Sequence, residues 1–168
     1  MECSASAQRV VESRFADAVI VSDVCQVDEA MVQQWACRFS QAALVIIGAG
    51  PPCQGVSGLN SERKGALRDA RSSLYVHVPR IRELVKRAFP WAMVHSLMES
   101  VASMDESDRQ VMSQAEGTCP WKICASGVSL ARRPRLYWIS WELQEGVGVI
   151  LREPPRAPVT GLSVVKLS

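Results

Sequence analysis

Cys53 is the residue in this chain whose setting most clearly suits chemistry. It follows the apolar, β-branched run Ala43-Leu44-Val45-Ile46-Ile47, which breaks into Gly48-Ala49-Gly50-Pro51-Pro52. The run reads as a buried strand over 43–47. The glycines free the backbone and the two prolines stiffen it, with no N–H to offer a sheet. A single cysteine is more often a small buried hydrophobe than a nucleophile. One held on a stiff turn past a strand's carboxyl end stands where open α/β sheets bind ligands. Asp23 and Glu99 occupy comparable positions, after Ala18-Val19-Ile20-Val21 and after Trp91 to Met98. Arg133 and Arg135 lie beside a further apolar run. A thiolate, favoured by nearby arginine, suits attack on an electron-poor ring. A carboxyl group can hold or protonate a ring nitrogen. Taken singly, Asp23 reads equally well as a turn or cap residue, and Glu99 and the arginines as solvated surface.

These residues need a sheet to bring them together. Strands are expected at 18–21, 43–47, 91–98, 121–125 and 135–141, the last with a plausible antiparallel partner. Helices are expected at Glu29 to Phe39 capped by Asp28, at Ser72 to Ala88, and over about 106–116. Strand 18–21, the first helix and strand 43–47 make one β-α-β unit, the mark of a parallel sheet. Pro79 predicts a kink or break in the helix from Ser72. Ser103-x-x-Glu106 has the form of a capping box. Residues 1–17 read as a loose lead-in, 18–151 as the domain and 152–168 as a Pro-rich tail, with a weak strand at Val147 to Leu151. The apolar end, Leu162 to Leu167, is either a strand or free. Residues 54–71 form a long polar loop carrying Arg63, Lys64, Arg68 and Arg71, a length that points to function or mobility.

Bulk properties narrow the classes. At 168 residues, 48% hydrophobic and 21% charged, the chain can bury a core of its own and is not of disordered composition. A net charge of +2 neither requires nor excludes a nucleic-acid partner. The six cysteines show no Cys-x-x-Cys spacing, and the two histidines are not paired, so no metal site is expected. No apolar run approaches the ~20 residues that span a bilayer, and no secretory signal opens the chain. An intracellular, reducing location with free thiols and no membrane partner is the expectation.

Gly48-Ala-Gly-Pro-Pro-Cys-Gln-Gly-Val-Ser-Gly-Leu-Asn60 strongly resembles the nucleophile motif of DNA cytosine-5 methyltransferases. Other segments resemble that family in order and spacing: Ser22-Asp23-Val24, Asp69-x-Arg71-Ser-Ser-Leu74-Tyr75 with Arg80-Ile81, Glu99-Ser100-Val101, and Arg133-Pro134-Arg135. Arg63-Lys64-Gly65, Val101-Ala102-Ser103-Met104 and Val128-Ser129 resemble the de novo type of animals. The likeness covers roughly 18–141.

The resemblance implies an incomplete Rossmann-like, S-adenosylmethionine-dependent methyltransferase fold, with a mixed, mostly parallel sheet and flanking helices. It implies that Cys53 attacks C6 of a flipped-out cytosine, Glu99 binds the amine and N3, and Arg133 and Arg135 hold the base. Asp23, Val24, Pro51, Pro52 and Leu74 would line the S-adenosyl-L-methionine pocket. Gln54, Ser57, Arg63 and Lys64 would meet DNA. A nuclear location follows if the source is eukaryotic, and a second methyltransferase-like chain is a possible partner. The family's Phe-x-Gly-x-Gly loop and target-recognition part have no counterpart, so the chain reads as the middle of such an enzyme, with an exposed sheet edge beside strand 18–21 or its equivalent. Ser100 stands where the family has Asn, and His77 where it usually has Glu. Alternatives are a non-catalytic homologue that binds DNA or a partner methyltransferase, and a tRNA cytosine-5 methyltransferase. A cysteine hydrolase ranks last, for want of a well-placed histidine base.

Overall fold

The structure, a computed structural model, describes residues 4–58, 61, 72–127, 129–142 and 164–166. Five strands form one sheet in the order β1-β2-β4-β3-β5: β1 Leu44–Ala49, β2 Met93–Val101, β3 Trp121–Cys124, β4 Pro134–Ile139 and β5 Val164–Lys166. The helices are α1 Ala5–Arg14, α2 Glu29–Arg38, α3 His77–Ala88 and α4 Glu106–Glu116. The class is α/β, as the sequence implies. The sheet is mixed but not mostly parallel: β1 and β2 pair in parallel, whereas β2–β4, β3–β4 and β3–β5 are antiparallel. A parallel pair needs a long crossover, and α3 supplies it between β1 and β2. Of the other consecutive strands only β3 and β4 reverse direction; β2 and β3, with α4 between them, run the same way, as do β4 and β5.

Several expectations are corrected. Ala18–Val21 is not a strand, so the β-α-β unit built on it is absent; β1-α3-β2 is the one that forms. A four-residue apolar run does not distinguish a ladder from a packed coil. Val21 is buried under α2 and α3, while Val19 stays exposed. The lead-in is helical rather than loose: Ser4 Oγ accepts from Ala7 N, and α1 runs to Arg14 with no buried residue. Burial patterning therefore had nothing to reveal there. Ser72 to Ala88 divides into a 3-10 turn, Ser72–Val76, and α3. Pro79 falls in the first turn of α3, where a backbone N–H has no partner inside the helix, so it starts the helix instead of kinking it. The Ser103 capping box is not used, because Asp105 is the N-cap residue of α4 and Ser103 Oγ accepts from Gly58 N at 3.1 Å. Glu99 lies within β2, two residues before its end. Val147 to Leu151 and residues 152–163 lie outside the described residues, and Val164–Lys166 pairs with β3.

One face of the sheet is covered. Val78, Ile81, Val85 and Ala88 recur at helical spacing on α3 and are all buried. Ile81, Val85 and Ala88 pack with Val32 and Ala36 of α2 and with Val45 and Ile47 of β1. Asp28 fixes the start of α2, its Oδ1 accepting from Met31 N at 2.8 Å. The second cluster joins Val78 to Met98, Leu136, Trp138 and Met112 of α4, and Cys53 packs against it. Trp138, Met98 and Met112 are almost fully buried, each contributing about 2 kcal/mol by burial. Gly117, at φ 72°, ends α4 in the left-handed conformation glycine tolerates. On the opposite face Leu44, Ile46 and Met93 are exposed, Ile46 and Met93 at 63%. Among the described residues β1 pairs only with β2, so its outer side is a sheet edge.

Candidate active site

Residues paired across neighbouring strands share a face of the sheet. Glu99 pairs with Tyr137, which pairs with Trp121; in the next row Arg135 lies between Val101 and Ile123. The face that carries Glu99 and Arg135 is the one the helices leave uncovered. Arg135 Nε and Glu99 Oε1 form an ion pair at 2.7 Å, with side chains 23% and 33% exposed. Arg135 Nη1 also donates to Pro134 O at 2.9 Å, which fixes the guanidinium beside the strand. Glu99, Arg133, Arg135, Tyr137, Ile123, Cys124 and Ala125 line a cavity of about 350 Å³. Arg133, on the exposed approach to β4, stands at its mouth.

The turn after β1 reaches this pair. A side chain at Gly50 would place its Cβ 3.8 Å from Glu99 Oε2. Cys53 follows three residues later, half-buried against the core of Met98 and Val101. Its carbonyl accepts from Val56 N at 3.1 Å and Ser57 N at 2.8 Å, so the chain winds back on itself just past the thiol. Val56 is fully buried and anchors that turn. Gln54 is exposed and Ser57 half-buried beside it, whereas Arg63 and Lys64 lie outside the described residues. Cys53 itself lines neither this cavity nor the next.

Asp23, Val24, Pro51, Pro52 and Leu74 do meet. With Ser22, Ile47 to Gly50, Val78 and Ile81 they line a second cavity of about 550 Å³. Asp23 caps a 3-10 turn, Val24–Gln26, its Oδ1 accepting from Cys25 N at 2.8 Å. That backbone bond holds the Asp23 carboxyl below its ordinary value, and the carboxylate in turn raises the Cys25 thiol. Arg80 clamps the turn onto α3: Nη1 donates to Val27 O at 2.6 Å, Nη2 to Val24 O at 3.0 Å and Nε to His77 Nδ1 at 3.1 Å. Burial first, and then the Arg80 cation, depress the His77 pKa. Since His77 Nδ1 accepts from Arg80, the neutral ring carries its proton on Nε2, 3.5 Å from Cys25 Sγ. That arrangement gives Cys25 no base. His95 sits in β2 with its ring 5.6 Å from Trp141, a structural position.

Glu99, Arg133 and Arg135 thus meet around one cavity, and Asp23, Val24, Pro51, Pro52 and Leu74 around another, which Gly50 also lines on the side toward Glu99. Sequence reasoning missed the clamp made by Arg80 and the lining supplied by Cys124 and Tyr137. The alternation of β4, which puts Tyr137 on the face of Arg135, would have revealed Tyr137; Cys124, opposite Pro134, falls in the alternate row. Among the described residues no group of three His, Cys, Asp or Glu is placed to hold a metal ion, and no helix is long and apolar enough to cross a membrane. No protein-family model matches the chain, and no curated protein matches it.

Proposed function

We propose that the chain carries the nucleophile and base-binding part of a DNA cytosine-5 methyltransferase domain. The reading rests on the likeness of residues 48–60 and the ordered motifs around them. The observation that carries it is the Glu99–Arg135 ion pair, open to a cavity and touched by the turn that presents Cys53. In this reading a flipped cytosine enters the cavity. The Cys53 thiolate attacks C6, forming the S–C6 bond and pushing electrons toward C5. Glu99 meets N3 and the exocyclic amine, and Arg135, tied to Glu99, steadies the charge that develops. Arg133 holds the base at the mouth, while Gln54, Ser57, Arg63 and Lys64 approach the DNA. Loss of the C5 proton expels Cys53. A nuclear, intracellular setting belongs to the same reading if the source is eukaryotic.

S-adenosyl-L-methionine would supply the methyl group for C5. The second cavity suits its adenosine end: Ile47, Leu74, Val78 and Ile81 provide apolar walls, and Asp23 has its second carboxylate oxygen for an amino donor. The lining holds no glycine-rich loop for the methionine end. The chain alone is therefore expected to bind S-adenosyl-L-methionine weakly or not at all, and calorimetric titration showing micromolar affinity would contradict this. Supplied with duplex DNA and radiolabelled S-adenosyl-L-methionine at millimolar concentration, the chain should transfer label to cytosine C5 slowly. Label found elsewhere in the DNA, or transfer surviving Cys53→Ala, would refute the reading.

The exposed outer edge of β1 and the apolar Leu44, Ile46 and Met93 favour a second reading, an accessory chain that pairs with another methyltransferase. Co-sedimentation with a full-length methyltransferase, abolished by Ile46→Lys, would support it over independent catalysis. No co-sedimentation would count against it.

A further inference from the structure

The segment that presents Cys53 is fastened to the β2 side of the sheet at three points. At its start Gly50 lies against Glu99, where a side chain would place its Cβ 3.8 Å from Oε2. In its middle Val56 is fully buried in the cluster of Met98 and Val101, and Cys53 packs against the same cluster. At its far end Gly58 N donates to Ser103 Oγ at 3.1 Å. Ser103 is exposed and stands two residues past the end of β2, the strand that carries Glu99. We propose that Ser103 is a positioning residue: its hydroxyl latches the Cys53 turn to β2, so that the nucleophile and the base-holding carboxylate keep a fixed separation.

The latch acts where the chain is otherwise easiest to displace. Gly55 and Gly58 flank the Val56 anchor, and glycine backbone is the most permissive. Gly58 has no side chain to pack, so its N–H is the group by which the end of the turn can be held. Cys53 O accepts from Val56 N and Ser57 N, which makes residues 53–57 one tight unit. A shift at Gly58 is therefore passed back to the thiol rather than absorbed on the way. Displacing a reacting group by about 1 Å is enough to slow a reaction severely. Val56 stays in the core when the hydroxyl is removed, so the effect is a partial loosening. The bond needs an acceptor at position 103, which threonine keeps and alanine lacks. The positioning role rests on the reading of Cys53 as the nucleophile; the latch on the turn does not.

The test uses the whole chain in two reactions, each read on the Cys53 peptide by mass spectrometry. Alkylation by iodoacetamide reports how open the half-buried thiol is. Adduct formation with duplex DNA carrying pyrimidin-2-one in place of cytosine reports whether the thiol is aimed at a ring. Ser103→Ala should move the two rates in opposite directions, alkylation about threefold faster and adduct formation about threefold slower. Thermal melting and the alkylation of Cys119, another half-buried thiol, should not change. Ser103→Thr should restore both rates. Alkylation of Cys53 indifferent to Ser103→Ala, or both rates moving the same way, would overturn the latch. A parent chain that forms no adduct at all defeats the methyltransferase reading and the positioning role with it. An adduct that the parent and Ser103→Ala form equally fast defeats this inference alone.

Discussion

Glu116 is the residue whose removal should cost the fold most for a single polar change. Arg82 Nη1 donates to Glu116 Oε2 at 2.6 Å and to Ser96 Oγ at 3.1 Å, joining α3, α4 and β2 under the sheet. The side chains of Arg82 and Glu116 are 11% and 1% exposed. Glu116→Ala leaves the buried guanidinium only the exposed Glu83 carboxylate, 3.7 Å from Nε, and loss of the buried partner costs about 3–5 kcal/mol. That is a large share of the ~5–15 kcal/mol that holds a domain of this size together. Replacing both partners, Arg82→Met with Glu116→Leu, removes the uncompensated charge and should return stability to within about 2 kcal/mol of the parent. Urea unfolding at pH 7 measures all three. A single substitution costing under about 1 kcal/mol, or a double variant no better than the single, would refute the reasoning. Burial outweighs Arg82 and raises the Glu116 carboxyl above its ordinary 4.5, and among the described residues Oε1 has no hydrogen-bond partner. The native state therefore binds this proton more readily than the unfolded chain. The group's contribution is full below 4.5 and is lost as pH rises through the folded value. Glu116→Gln should lack that decline, and an unchanged pH profile would count against the assignment.

Arg80→Ala removes three hydrogen bonds, two of them to the carbonyls of Val24 and Val27, and should cost about 2–3 kcal/mol. Hydrogen exchange at Gln26 and Val27 should accelerate with it, and Arg80→Lys should recover little, because an ammonium lacks the guanidinium fork. Unchanged exchange there would show that the clamp is not what holds Asp23 in place. Ser100 Oγ is buried with no partner among the described residues, so Ser100→Ala should be neutral or stabilising by up to about 1 kcal/mol in thermal melts. A clear loss of stability would show that the hydroxyl has a role the structure does not reveal.

The parts of this fold legible in the sequence are those with strong local patterning. Val32, Ala36 and the Asp28 cap announced α2; Val78, Ile81, Val85 and Ala88 announced the buried face of α3. The run ending at Gly48 announced β1 and the turn after it. What stayed hidden depends on long-range pairing. Nothing local to Pro134–Ile139 says that it inserts antiparallel between β2 and β3, yet that register puts Arg135 against Glu99. Ala18–Val21 shows the opposite failure, since burial of Val21 alone was enough to imitate a strand. Pro79 misled because its cost depends on position in the helix, and the start of α3 is set by tertiary packing. The candidate site was legible as residue types, a thiol, two carboxylates and two arginines. That Glu99 and the two arginines line one cavity, Asp23 another and Cys53 neither was not.

The central claim is that Cys53 is the group that attacks a cytosine ring. Duplex DNA carrying pyrimidin-2-one in place of cytosine accepts a thiolate at C6 without any methyl donor, which separates the nucleophile from the cofactor pocket. Incubation with this duplex should give a covalent complex whose adducted peptide contains Cys53, absent from Cys53→Ala and weakened in Glu99→Gln. No adduct from the folded parent chain, or one mapped to another cysteine, would contradict the account.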